Sequence, residues 1–100
     1  MLESELEAFF REHIKHLGGK AFKWVSPGNP GVPDRIVIYK GRVVFAELKQ
    51  EKGTVSAVQK LRISELACHG AEVYIIRTKG DVLALIDALH KGVVCPWLHL

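Results

Sequence analysis

Residues 31–50, "GVPDRIVIYKGRVVFAELKQ", leave the chain few ways to fold. Two apolar runs, 36–39 and 43–48, are separated only by Lys40-Gly41. A two-residue turn ending in glycine between β-prone runs specifies a hairpin. In that register the numbers of facing residues sum to 81, so Tyr39 faces Arg42, Val37 faces Val44 and Asp34 faces Glu47. Facing residues share one side of the sheet, with Cβ atoms roughly 4.5–5.5 Å apart. Lys49, two positions beyond Glu47, points the same way. Two carboxylates and an ammonium group therefore gather at the open end of an otherwise apolar hairpin. A three-residue loop would shift the register by one and separate them, so the grouping depends on the turn.

Two like charges facing each other cost stability, and something should offset that cost. A hard divalent cation is one answer, because Mg²⁺ takes one or two carboxylates and completes its shell with water and phosphate oxygens. A surface cluster in which Lys49 bridges the two acids, or plain solvation of the strand ends, is the other. Geometry alone leaves both open. Zinc is not indicated: the five histidines show no spacing that converges with Cys68 or Cys95 on one site.

The remaining chain supplies partners for the hairpin. Leu2, Leu6, Phe9, Phe10, Ile14 and Leu17 recur at helical spacing until Gly18-Gly19 stops the run. Residues 20–25 read as a strand. "SPGNPGVP" (26–33) reads as a loop held largely extended by its three prolines. Helix follows over 56–69, closed by Gly70, then a buried strand over 71–77, a turn at "TKG" and a helix over 81–90. The expected order is αβββαβα. A hairpin joined to a last strand by a helical crossover gives a mixed four-stranded sheet flanked by helices, an α/β (α+β) fold in a single domain spanning 1–100. Its core occupies about 3–90, and an apolar tail, 93–100, carries Trp97.

The net charge of +3 is unevenly spread: −2 over residues 1–17, +6 over 18–62 and −1 over 63–100. A basic middle with acidic flanks suits a polyanion laid across one region, though a solvated surface explains it as well. No apolar run approaches the roughly 20 residues that cross a bilayer, so no membrane partner is expected. The amino end, "MLESELEAFF", carries acids where a signal peptide carries bases, and a cytoplasmic location with reduced thiols is expected.

Pro33-Asp34, a short hairpin, then Glu47-Leu48-Lys49 is the order of the PD-(D/E)xK nuclease signature. The longer stretch "GGKAFKWVSPGNPGVPDRIVIYKGRVVFAELK", with Gln59, Leu66 and Gly70 after it, resembles the VRR-NUC (virus-type replication-repair nuclease) family, whose small stand-alone members are often phage-encoded. The resemblance covers roughly residues 3–90. It implies the restriction-endonuclease-like αβββαβ core and a metal-dependent nuclease using Mg²⁺ or Mn²⁺. It further implies that Asp34, Glu47 and the backbone carbonyl of Leu48 hold the metal, with Glu7 reaching it through water. Lys49 would orient the attacking water, and Gln59 would stand near the site.

The residues can be weighed beside that resemblance. At about 100° per residue, Glu7 borders the apolar arc of the first helix and Glu3 falls within it; acids in a first turn also suit the helix dipole. Gln59 completes an S-x-x-Q capping box with Ser56, which competes with a role at the site. His13 lies within the apolar arc and reads as packed. Lys23, Ser26, Gly28, Arg35 and Lys52 are candidate nucleic-acid contacts, with Arg35 placed by alternation on the face away from Asp34, as support or DNA contact. With no recognition helix in view, the expected substrate is DNA chosen by shape, such as a flap or Holliday junction, cut by a homodimer whose two-fold axis matches the junction. A non-catalytic nucleic-acid-binding module using the basic segment 18–62 is the alternative, and a protein held together by a single metal is a weaker third.

Overall fold

A computed structural model describes residues 2–95. Its elements are α1 (Glu3–Leu17), β1 (Lys20–Lys23), β2 (Arg35–Tyr39), β3 (Arg42–Leu48), α2 (Ala57–Cys68), β4 (Val73–Ile76) and α3 (Lys79–Lys91). The proposed interface role of Trp97 lies outside the described residues.

The strands form one sheet in the order β1-β2-β3-β4. The β2–β3 hairpin has the expected register, with Tyr39 paired to Arg42, Val37 to Val44 and Arg35 to Ala46. Lys40 and Gly41 both have positive φ, +47° and +80°, as a type I′ turn matched to the strand twist requires. β1 adds antiparallel to β2. β4 joins β3 in parallel after the α2 crossover, so the sheet is mixed.

Alternation assigns each strand residue to a face. Val37, Tyr39, Val44, Ala46, Leu48, Tyr74 and Ile76 point to one side, where Leu6, Phe10 and Ile14 of α1 and Val82, Leu85, Ala88 and Leu89 of α3 close over them. A smaller cluster on the opposite face packs Ile63 and Leu66 of α2 on Phe45, Val73 and Ile75, with Val55 beside them. β4 is thus buried on both faces, which explains why "VYII" is apolar without alternation. The α2 cluster involves β3 and β4 only, and the β1–β2 half of that face stays more open.

Three details differ from expectation. α3 begins at Lys79, two residues early, because Thr78 caps it: Asp81 N donates to Thr78 Oγ1 at 3.0 Å, and Thr78 N donates back to Asp81 Oδ2 at 3.2 Å. Asp81 is the third helical residue of a capping box, so it does not mark the helix start. The loop 26–33 is also not extended. Pro27-Gly28 makes a tight turn closed by Asn29 N donating to Ser26 O at 3.0 Å, and a second turn follows at Pro30-Gly31. Finally, the first strand ends at Lys23, although Trp24 N still donates to Asp34 O at 2.9 Å.

Both loops beside the hairpin's open end are tied down. Arg62 Nε of α2 donates to Pro30 O at 2.8 Å. Gly31, at φ +87°, packs so closely on α2 that a Cβ there would lie 2.6 Å from the Val58 carbonyl oxygen. Arg77 Nη1 donates to the carbonyls of Gln50, at 3.2 Å, and Gly53, holding the loop after β3.

Candidate active site at the open end of the hairpin

Asp34 immediately precedes β2 and Glu47 is the penultimate residue of β3, so the hairpin register carries them into opposition. Each carboxylate reaches the other's strand. Asp34 N donates to Glu47 Oε1 at 3.2 Å, while Leu48 N lies 3.4 Å from both oxygens of Asp34. Glu47 is only 4% exposed, an extreme burial for a carboxylate. Desolvation is the largest influence on both groups and raises both pKa values. Glu47 is raised further by the charge of Asp34 and lowered by Lys49. For Asp34, the Arg35 guanidinium and the Leu48 N–H pull in the opposite direction.

Two side chains complete the shell of Glu47. Lys49 Nζ lies 3.5 Å from Oε2. Gln59 Nε2 donates to the same oxygen at 2.9 Å, while Gln59 Oε1 accepts from Ser56 N at 2.9 Å. The competition posed by the sequence is resolved by the amide's two ends: its oxygen caps α2 and its nitrogen holds Glu47.

Arg35 takes the supporting role. It is 8% exposed, on the α1–α3 face. Nη1 donates to the Asp34 carbonyl at 3.0 Å, and Nη2 pairs with Glu7 Oε1 at 3.0 Å. This burial leaves the guanidinium little surface for DNA. Glu7 is half-buried, paired with Arg35 and, at 3.6 Å, with Arg11. Glu3 is exposed and not sunk in the apolar arc, yet its charge and that of Glu7 both raise the Asp34 pKa.

The remaining candidates are scattered. Lys23 pairs with Arg35 in the β1–β2 ladder and so belongs to the face away from Asp34. Ser26 Oγ accepts from Asn29 Nδ2 at 3.1 Å inside its own turn. Gly28 and Lys52 are exposed in the two loops. His13 packs on Phe9, ring centroids 4.0 Å apart, with Nδ1 2.9 Å from the Phe9 carbonyl. It lines, with Glu12, Lys15 and His16, a shallow concavity on α1 remote from the acid pair.

The donor set suits a hard cation. Among the described residues no cluster of three or more His, Cys, Asp or Glu side chains is poised to hold a metal ion. The acid pair therefore offers two carboxylates, which matches Mg²⁺-type coordination completed by water, a backbone carbonyl and phosphate oxygens. Raised carboxylate pKa values are what a desolvated, like-charged pair shows before a cation offsets the repulsion.

No family model matches the chain. It is 29% identical over 89 residues to "Putative nuclease p44" of Acyrthosiphon pisum secondary endosymbiont phage 1, spanning 88% of this chain and 95% of that protein. A solved structure described as a VRR_NUC domain superposes with a TM-score of 0.79 at 28% identity, over 85% of this chain and 94% of the other. The chain is thus similar, in sequence and in fold, to a VRR_NUC domain. The likeness takes in nearly the whole length of the matched domain.

Two contributors were out of reach of sequence reasoning. Trp24 stands across from Asp34 through its 2.9 Å backbone bond. Gly31 locks the loop to α2. The nine residues between Trp24 and Asp34 hide the first. Only the φ of Gly31 and the helix behind it disclose the second.

Proposed function

We propose that this protein is a divalent-metal-dependent DNA endonuclease that hydrolyses phosphodiester bonds, preferring branched DNA such as flaps or Holliday junctions and acting as a homodimer in the cytoplasm. The observation that carries the reading is the desolvated pair Asp34–Glu47 with Lys49 Nζ 3.5 Å from Glu47. Mg²⁺ or Mn²⁺ held by Asp34, Glu47 and the Leu48 carbonyl, with Glu7 reaching it through water, would supply charge neutralisation at the phosphate and acidify bound water.

The chain's own groups account for the rest. Lys49 carries a compact positive charge that orients the attacking water and balances negative charge growing on the phosphate oxygens. Gln59 fixes the rotamer of Glu47 through its 2.9 Å bond. Arg35, anchored by Glu7, holds the Asp34 carbonyl through Nη1, which also lies 3.8 Å from Asp34 Oδ1. In the reaction one P–O bond forms to water and the opposite P–O bond breaks, the departing oxygen taking a proton. Recognition by shape is part of this proposal, and the elements described among residues 2–95 support it in offering no separate base-reading module.

Labelled four-way junctions, flaps and linear duplexes in Mn²⁺ test the reading, with EDTA and Lys49→Ala beside wild type. Cutting of branched substrates should fall about 10²–10³-fold in Lys49→Ala, on the scale of losing one electrostatic stabiliser, and vanish in EDTA. Binding without cutting under every condition would leave the nucleic-acid-binding module in its place, and cutting confined to linear duplex would reject branch preference.

A further inference from the structure

The β1 edge brings an aromatic side chain to the acid pair. Trp24 N donates to Asp34 O at 2.9 Å, so the β1–β2 ladder continues one step past Lys23, and Trp24 stands directly opposite Asp34. Asp34 in turn stands opposite Glu47. The three residues form one row across three strands and share one face. The tilted packing of Trp24 on Phe45, centroids 5.1 Å apart, confirms which face, because Phe45 belongs to the α2 side.

That face is open beyond Trp24. Phe22, one pleat further along β1, is 46% exposed; Ile38 and Val43 beside it are 39% and 48% exposed. Lys20, paired with Ile38, ends the same file with a positive charge. An aromatic strip bounded by lysine and running into a phosphate-cleaving centre has the composition of a single-strand platform, where bases stack on rings and cations follow the backbone. Spacing selects among substrates. Phe22 and Trp24 are separated by roughly 6.7 Å along the strand, whereas neighbouring bases of a duplex are about 3.4 Å apart. Two rings at twice the duplex step do not match a stacked helix, but each can take one base of a stretched strand.

We infer that Trp24 and Phe22 stack successive unpaired nucleobases next to the scissile phosphate, making a single-stranded segment part of the substrate. This deepens the nuclease reading and rests on it only for the position of the phosphate. It gives branch preference a physical source: a fork or flap supplies unpaired bases that a linear duplex lacks.

The test reads binding separately from cutting. In a Trp97→Phe protein, Trp24 is the one remaining indole. Titration with oligo-dT in EDTA at low salt, where nothing is cut, should quench its emission saturably, and a blunt duplex of equal length should do so far less. Trp24→Ala should weaken oligo-dT binding about 5- to 100-fold, the scale of one stacked base, with Trp24→Phe recovering most of it. Emission unchanged on binding, or wild-type affinity in Trp24→Ala, would overturn the inference. So would sedimentation showing that this face is covered by a second copy, in a dimer that Phe22→Ala dissociates. Quenching without cleavage of any DNA would refute the nuclease reading and leave the platform standing. Cleavage of forks undiminished in Trp24→Ala would do the reverse.

Discussion

Gln59 allows the coupling between fold and site to be measured in one residue. Its amide oxygen accepts from Ser56 N and its amide nitrogen donates to Glu47 Oε2, both at 2.9 Å. Gln59→Ala removes both bonds: the cap contributes about 1 kcal/mol, and a hydrogen bond to a charged group about 1.5–3 kcal/mol. Lys49 and water recover part of the second, so a loss of about 2–3 kcal/mol is expected. Gln59→Glu separates the roles. Glutamate serves a capping box as well as glutamine does, but it sets an oxygen where the donor stood. Two like charges about 4 Å apart repel by about 4 kcal/mol at an effective dielectric constant near 20, less whatever rotation or proton uptake relieves. Urea unfolding in EDTA, followed by circular dichroism, should therefore rank Gln59→Glu below Gln59→Ala at pH 8 despite its intact cap. The order should close or reverse near pH 4.5, where one of the two carboxyls is protonated. If Gln59→Glu matched wild type at pH 8 while Gln59→Ala lost the cap's share, the bond to Glu47 would be energetically irrelevant and the argument refuted.

Other expectations follow from the same geometry. Gly31→Ala meets both a positive φ and a backbone oxygen 2.6 Å away, whereas Gly28→Ala meets a positive φ in open space; denaturation midpoints should show losses of about 2–4 and about 1 kcal/mol respectively. Lys40→Asn should stabilise by about 0.5 kcal/mol, since asparagine tolerates the +47° φ of a type I′ turn better than lysine. Burial and mutual repulsion raise Asp34 and Glu47 above their ordinary values, so the folded state binds these protons more tightly than the unfolded one. Their contribution is present below the ordinary carboxylate range and is lost as pH rises through the raised folded values. Asp34→Asn removes one of the two charges. Its melting temperature in EDTA should exceed wild type's by a margin that widens from pH 4 to pH 8, while DNA cleavage in Mn²⁺ disappears; a constant margin would contradict the pKa directions.

The hairpin was readable because local rules coincide there: a Lys-Gly turn admits few registers, and one register sets every cross-strand pair from Tyr39–Arg42 to Asp34–Glu47. The helices were readable from periodicity, and the cap of α2 from Ser56 and Gln59. What escaped was non-local. Whether Gln59 caps or reaches the site is undecidable without the position of Glu47, and the answer is both. Glu3 looked buried on a helical wheel, which carries no information about where the sheet beneath the helix ends. The capping role of Thr78 was masked by Gly80, a poor helix former tolerated here because Asp81 bonds back to the Thr78 and Arg77 amides. Trp24 needed three-strand pairing across a loop whose turns no local pattern places.

The turn at Lys40-Gly41 lies at the far end of the strands from Asp34, five residues and roughly 17 Å along β2. All groups brought to the acid pair arrive at the other end, from Trp24, the loop 26–33, the end of β3 and the start of α2. The exposed side chain of Lys40 is therefore the natural attachment point of the molecule. A label or a tethered module joined to its amine would extend from the side remote from the acid pair and leave the two-residue turn, and with it the register, intact.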